Sequence, residues 1–442
     1  MTTWSNWSGC ETADCTVLRP SSTAGIAEAV TAAAAQGRRV RPVGSGHSFS
    51  GIARPEELQL SLERHDRLRA LDTGTGLVTV EAGMPLYRLN ALLAQAGLAL
   101  PSLGDIDRQT VAGALATGTH GTGARFGPIS TQVRAMELVL ADGSVLRCSP
   151  TENPDVFEFA RVHLGALGVV STVTLQTVPA FALHAQEISV PLSEVLARFD
   201  EQAREIDHFE FYWFPHTDRV QTRYKTRVPL EPGLAPLGRF RAWWDDELLA
   251  NDVFRAVIAT GRRIPATVMP LNRIAVRLWG SRSYTDRSER VFVSSRRVRF
   301  KEMEYAIPRA ALPEAMGRVR DLVEKSGWRI GFPVEIRVGA PDDIPLSLSS
   351  GRESAYIAVH VAARSPHDAY FGAVERVMAD YQGRPHWGKL HGLDCEGLRR
   401  VYPLLDEFAA LRDRLDPEGR FGNAYLDRVL GAGPEGRSRG AR

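Results

Sequence analysis

The chain has 442 residues, enough for two domains of about 200 residues, each able to bury its own core. With 44% apolar and 24% charged residues it sits among ordinary globular proteins, which excludes disordered, collagen-like and disulfide-dense classes. Lys+Arg total 54 against 52 Asp+Glu, a net charge of +2, so no whole-molecule field draws the chain to nucleic acid, and any charged partner must be met locally.

The opening MTTWSNWSGC has no basic stretch leading into an apolar run, and no run of eighteen apolar residues occurs. The four cysteines, Cys10, Cys15, Cys148 and Cys395, show no Cys-x-x-Cys spacing, so a reducing, cytoplasmic setting is expected. A peripheral membrane contact is compatible with it. Residues 21–37 are alanine-rich, with a Ser/Thr start and a stop at Gly37, and predict a helix. A short β-type run over 39–43 then enters a glycine loop. Next come a strand and turn over 76–85, an amphipathic helix closed by Gly97, and a hairpin turned at Asp142 and Gly143. A Val/Thr-rich strand ending near Val178 closes this first part.

After Pro179 the texture shifts to aromatic strands, an arginine-rich stretch over 282–301 and a helix over 312–326, a second domain of mixed α+β type. The arginines are expected on a solvated sheet face. Nucleic-acid binding is not favoured, since stacking aromatics are not interleaved among them. Residues 432–442 are Gly/Pro/Arg-rich without an apolar face and predict a disordered tail.

Three segments carry chemistry. The first reads Arg-Pro-Val-Gly-Ser-Gly-His-Ser over 41–48, where glycines let successive N–H groups converge on one spot, as phosphate-binding nests do. His47 within it has three readings: hydrogen-bond partner, metal ligand or covalent anchor. The second runs from Gly104 to Gly123 and is dense in small residues, which suits a backbone lying close to something large and flat. The third is downstream: Glu335 and Arg337 share a strand face by the period-two rule, followed by His360 and then by His386, Lys389 and His391. A lysine beside the histidines, and no carboxylate at ligand spacing, argue against a metal site.

Together these segments resemble the FAD-linked sugar oxidases of the vanillyl-alcohol-oxidase type. Within them the chain is similar to the aldonolactone group: L-gulono-1,4-lactone oxidase or dehydrogenase, D-arabinono-1,4-lactone oxidase and their relative alditol oxidase. VGSGHS, GTHGTG, VEIRV, HWGK and the ending FGNAYLDRVLG carry the resemblance across nearly the whole chain. It implies a two-domain α+β fold: a bipartite α/β FAD-binding domain (1–178, completed by 392–431) and a mixed α+β substrate-cap domain (179–391).

Carried over residue by residue, Gly44, Ser45, Gly46 and Ser48 would hold the pyrophosphate, and His47 would bond through its ring to the flavin 8α-methyl. That linkage would be single, because no cysteine stands in the 164–167 region. Asp105, Thr110, Gly113, Thr117, Gly118, Thr119 and His120 would line diphosphate and flavin, and Val169 and Val170 would meet the adenine through backbone groups. Lys389 and Arg337 would stabilise developing negative charge, and Glu335 would bind a sugar hydroxyl and hold Arg337 in place. His386 and His360 would lie near the substrate. The implied reaction is hydride transfer from a substrate carbinol to flavin N5, with oxygen or a cytochrome- or quinone-type acceptor taking the electrons onward.

Alditol oxidases have a serine at the position of Asp105 and a threonine at that of Ala362, which favours a lactone over an open-chain polyol here. Gly104 stands where a larger residue blocks oxygen in some dehydrogenases. An alditol oxidase, a redox-silent nucleotide-binding module and a metal-dependent hydrolase built on His360, His386 and His391 are the alternatives.

Overall fold

The computed structural model describes residues 1–231, 233–278 and 280–433, so the expected disordered tail lies, from residue 434 on, outside the described residues. The first part of the chain builds a two-stranded sheet, Leu98–Ala99 with Val178–Pro179, and two larger ones. One has four strands, in the order Thr2–Ser5, Thr12–Leu18, Leu58–Ser61 and Val40–Val43, the last two paired in parallel. The other has five antiparallel strands, with Val169–Gln176 at its centre between Leu77–Glu81 and Val133–Val139. The predicted helix forms over Thr23–Ala35, capped by Ser22 Oγ and stopped at Gly37, which takes a φ of +67°. Leu86–Gln95 is helical and Asp142–Gly143 turns a hairpin, as their sequences require.

The second part builds one eight-stranded sheet, antiparallel throughout, in the order Arg282–Arg287, Ala182–Pro191, Arg219–Val228, His208–Trp213, Val334–Gly339, Ser354–Ala362, Phe300–Pro308 and Arg384–Pro385. Its two faces are sorted by the period-two rule. Phe209, Phe211, Trp213, Val334, Ile336, Val338, Ile357 and Val359 pack on one face against the helices Leu312–Lys325 and Asp368–Ala379. The alternate residues form polar rows on the other face. Arg282 lies opposite Glu187 and Glu187 opposite Arg223, then Arg223 opposite Glu210; in the next row Gln221 lies opposite Tyr212, Tyr212 opposite Glu335, and Ala358 bridges Glu335 to Glu304.

The C-terminal helices return to the first core, where Leu398, Phe408, Phe421 and Leu426 pack with Ile26, Leu60, Val111 and Val170. Arg41, fully buried, fastens this return by donating to the carbonyls of Ile52 (2.7 Å), Leu164 (2.6 Å), Gly165 (2.9 Å) and Phe421 (2.7 Å). Asn423 Nδ2 adds bonds to the carbonyls of Gly51 and Arg54.

Two expectations fail against this architecture. The arginines of 282–301 do not make one solvated sheet face: residues 293–299 precede the strand, and Arg282, Arg290, Arg296 and Arg297 pair with carboxylates. Arg282 pairs with Glu187 and Asp246, Arg296 with Asp105, and Arg297 with Asp252. Secondly, 239–278 is mostly helical, with Arg239–Ala242, Phe254–Arg263 and Val268–Leu278 joined by further helical turns, where the sequence reading assigned no helix.

Candidate active site

The three motif segments meet in space. Phe49 N–H donates to Gly388 O at 2.6 Å and Ser50 Oγ to Trp387 O at 2.8 Å, tying the glycine-histidine loop to the HWGK segment. Gly123 N–H donates to Val338 O at 2.9 Å, stitching the second glycine-rich segment to the strand that carries Glu335 and Arg337. His386 N–H and Leu390 N–H bond the carbonyls of Glu304 and Glu302, so the HWGK segment runs beside the strand Phe300–Pro308.

Two adjoining clefts result. The narrower, about 80 Å³, is walled by Gly44, Ser45, Gly46, Thr110, Gly113 and Val170 among others. It exists because two backbones approach with only a threonine hydroxyl between them. Thr110 Oγ1 accepts from Gly113 N–H at 3.1 Å, capping the helix Val111–Ala116, and a Cβ on Gly44 would overlap that oxygen. The larger cavity, about 270 Å³, has the polar face of the eight-stranded sheet as its floor and holds Gly104, Asp105, Thr119, His120, Glu335, Arg337, His360, His386 and Lys389. His47, Ser48 and Thr117 line both. Of the other residues singled out from sequence, Gly118 sits in a turn at φ +69° facing Val162 and Leu348, and Val169 is buried in its strand; neither lines either cleft.

Charge in the larger cavity is dense and paired. Lys389 Nζ bonds Glu302 and lies 3.7 Å from Glu304. Arg337 bonds Glu335, donates through Nε to Glu210 at 3.0 Å and approaches Asp105 at 3.5 Å. Burial alone would neutralise these groups, but opposite charge outweighs it. Against burial, Lys389 and His360 hold Glu302 down to about 2; Glu302 and Glu304 in turn lift Lys389 above the ordinary lysine range. Asp105 is held well below the usual carboxylate range by Arg296 and Arg337, again against burial.

His120 Nε2 lies 2.9 Å from Glu304, and its ring stacks on Tyr356. His360 Nδ1 lies 3.1 Å from Pro333 O and its Nε2 3.4 Å from Glu302. His391 is elsewhere, bonded through Nε2 to Tyr425 OH at 2.9 Å, so the three histidines of a hydrolase site are not brought together. Among the described residues, His120, Glu304 and His386 form one set with metal-compatible spacing, and Glu302, Glu335 and His360 another. Lys389 and Arg337 already neutralise their carboxylates.

Sequence reading missed Glu302, Glu304, Glu210, Tyr212, Arg296 and Trp7, which stacks on His47 with centroids 6.0 Å apart. Glu302 and Glu304 had a signal: two carboxylates at i and i+2 in one strand must share a face.

Four buried histidines give the fold an acid limit. Burial pushes His386, His391 and His208 down to about 3 and His163 to about 4, whereas the unfolded chain titrates near 6.5. Below pH 6.5 the unfolded state binds more protons, so stability present at neutral pH is lost as pH falls toward 4, by about 1.4 kcal/mol per pH unit for each histidine. Urea unfolding between pH 7 and 4.5 should show this loss beginning near 6.5, ahead of the carboxylates. A flat profile to pH 4.5 would show that the histidines are not held neutral.

A cavity with a polar floor and largely apolar walls, joined to a glycine-walled cleft, suits a long cofactor whose ring faces the cavity and whose diphosphate lies in the cleft. The residues fit FAD on two observations: the cleft is kept open by a glycine whose Cβ would close it, and His47 Nδ1 is buried without a hydrogen-bond partner. Residues 16–149 match the family described as FAD binding domain. The fold is also that of cholesterol oxidase from B. sterolicum, whose structure superposes with a TM-score of 0.83 at 18% identity, over 97% of this chain and 96% of that one. The class is therefore an FAD-dependent oxidoreductase of the two-domain FAD oxidase fold.

Residues 173–429 match the family described as D-arabinono-1,4-lactone oxidase, and the chain belongs to it. L-gulono-1,4-lactone dehydrogenase of Mycobacterium tuberculosis is 46% identical over 97% of this chain and 99% of its own. L-gulonolactone oxidase of Mus musculus is 35% identical over 97% of both.

Proposed function

We propose that the protein oxidises an aldono-1,4-lactone, most closely L-gulono-1,4-lactone, at C2. The observation that carries this reading is the pair of cations, Lys389 and Arg337, set among carboxylates in the cavity that His47 borders. FAD, when bound, supplies the two-electron acceptor for the hydride leaving the substrate carbinol. Lys389 Nζ and the Arg337 guanidinium hold the oxygen as its hydroxyl loses a proton. Glu335 orients a neighbouring sugar hydroxyl and keeps Arg337 in place. His360, with Nδ1 on a carbonyl, takes up the proton at Nε2 beside Glu302. His386 stays neutral through burial and shapes the wall.

Residues 1–178 with 392–431 make the FAD-binding domain in this reading, supported by the return of the C-terminal helices to the first core; residues 179–391 make the cap. Four unpaired cysteines support a cytoplasmic setting, and among the described residues no helix is long and apolar enough to cross a membrane. Anaerobic bleaching of the flavin over a panel of lactones and polyols tests the reaction. Fast bleaching by aldonolactones is expected, whereas a preference for open-chain polyols would move the enzyme to the alditol oxidase reading.

Two predictions belong to the cofactor. A single covalent bond through His47 should leave the flavin with the chain after acid precipitation, and His47→Ala should release it with the fold retained. Complete release from the wild type would remove the anchor. A Cβ on Gly104 would lie 3.3 Å from His120 O, a tight contact, and 3.5 Å from Thr119 Cγ2, so a methyl is accommodated once the His120 carbonyl gives by a few tenths of an ångström. Gly104→Ala should slow flavin reoxidation by oxygen several-fold and change reduction by lactone less, both read by stopped flow. Unchanged oxygen reactivity would place the gate elsewhere and leave the choice among oxygen, cytochrome and quinone acceptors to other residues.

A further inference from the structure

The polar floor of the larger cavity continues beyond the groups the reaction needs. Along one row of the sheet, Glu335 is followed by Tyr212 and then by Gln221, two strands away. Tyr212 OH donates to Glu335 at 2.8 Å and accepts from Arg223 at 3.3 Å, so it is fully occupied. Gln221 is not. Its side chain is 1% exposed, its amide N–H reaches only Gly280 O at 3.4 Å, and its Oε1 is buried without a partner among the described residues. Ser294, whose N–H is bonded to Asp105 O, likewise has a buried Oγ without a partner. Both residues line the cavity. A buried acceptor that no protein group matches costs stability unless water or a ligand meets it, and these two face a cavity that can hold either.

The charges say what that ligand is. Arg282 is matched by Glu187 and Asp246, and Arg223 by Glu187 and Glu210, so among the described residues here no spare cation remains for a phosphate or carboxylate. What stands open is an amide oxygen that accepts and a hydroxyl that both donates and accepts, the complement of a neutral, hydroxyl-bearing group. We infer that Gln221 and Ser294 form a subsite for the exocyclic hydroxyl tail of the substrate, which makes them specificity-determining residues for lactones that carry such a tail. Gln221 stands two strand spacings from Glu335, about 10 Å between backbones, which matches the length of a lactone ring with a two-carbon tail lying across Tyr212 on the cavity floor. A lactone without a tail offers Gln221 nothing. The inference rests on the proposed lactone chemistry and adds to it the length of the sugar.

The test compares L-gulono-1,4-lactone, which has a two-carbon glycol tail, with L-threono-1,4-lactone, which has none. Calorimetric Kd and anaerobic flavin reduction are measured on the holoenzyme. The wild type should bind the six-carbon lactone at least 10-fold more tightly, and Gln221→Leu should lose that margin while weakening the four-carbon lactone less than 3-fold. Ser294→Ala repeats the comparison and stands in if Gln221→Leu purifies without flavin. Equal binding of the two lactones by the wild type, or equal losses on both in the variants, would overturn the subsite. Binding reads the subsite and bleaching reads the chemistry. Tail-dependent binding without flavin reduction would thus overturn the proposed function alone, and a wild type that binds neither lactone would overturn both.

Discussion

Lys389→Met is expected to slow flavin reduction by about 100-fold or more, the loss that follows from removing roughly 3 kcal/mol of preorganised stabilisation from a developing oxyanion. The structure makes the effect twofold. Lys389 lines the larger cavity, and it is also what outweighs burial to keep Glu302 at about 2 and Glu304 far below its ordinary range. Without the ammonium, two buried carboxylates share one wall with only His360 and His120 beside them, and one should take up a proton near neutral pH. The variant should therefore show a new pH dependence in flavin reduction between about pH 5 and 8, faster on the acid side, where the extra negative charge is gone. Lys389→Arg keeps the charge and should retain much of the rate. Arg337 needs a milder probe: it serves Glu210, Glu335 and Asp105, and deleting a buried partner destabilises by about 3–5 kcal/mol. Arg337→Lys is the informative change there, with a loss of about 10-fold or more from broken two-sided bonding. Reduction at the wild-type rate in both Lys389→Met and Arg337→Lys would put the catalytic cations elsewhere.

What could be read in the sequence divides along physical lines. Glycine loops are legible because a conformation or a close approach forces the residue type; Gly44 and Gly113 stand where side chains do not fit. Glu335 and Arg337 are legible because a strand's period of two places them together whatever the partner strands are. Glu302 and Glu304 obey the same rule, but their partners Lys389 and His120 lie 87 and 184 residues away. Such pairings depend on strand order, which local pattern does not contain. The arginines of 282–301 were misassigned for the same reason. Only the neighbouring strand and the Asp105 loop reveal that Arg282 and Arg296 are paired at the cavity wall. The helices of 239–278 escaped because they expose Phe240, Trp243 and Ile274, which blurs the apolar stripe that marks a buried helix face.

Gly44→Ala should yield a folded protein with little or no flavin. Gly44 follows the strand Val40–Val43, where the backbone leaves the sheet and passes the helix Val111–Ala116 at its capped end. The added methyl would occupy the place of Thr110 Oγ1. Either the threonine turns away and leaves Gly113 N–H without its acceptor, or the loop carrying Ser45, Gly46 and His47 moves off the helix. The first costs about 1 kcal/mol, as lost N-caps do, and the second about 1–3 kcal/mol, as overpacking does. Either is small against the stability of a chain this size and should lower Tm by only a few degrees. The cleft is less tolerant, because it is about 80 Å³ in volume and is shaped by the same loop. The ratio of flavin to protein absorbance should fall below a tenth of the wild-type value. Thr110→Ala removes the obstructing hydroxyl, so it should cost little alone and restore part of the flavin content when combined with Gly44→Ala, a coupling that a general folding defect would not show. Full flavin occupancy in Gly44→Ala would mean that the diphosphate does not lie between these two backbones, and the glycine-histidine loop would lose its role as a cradle.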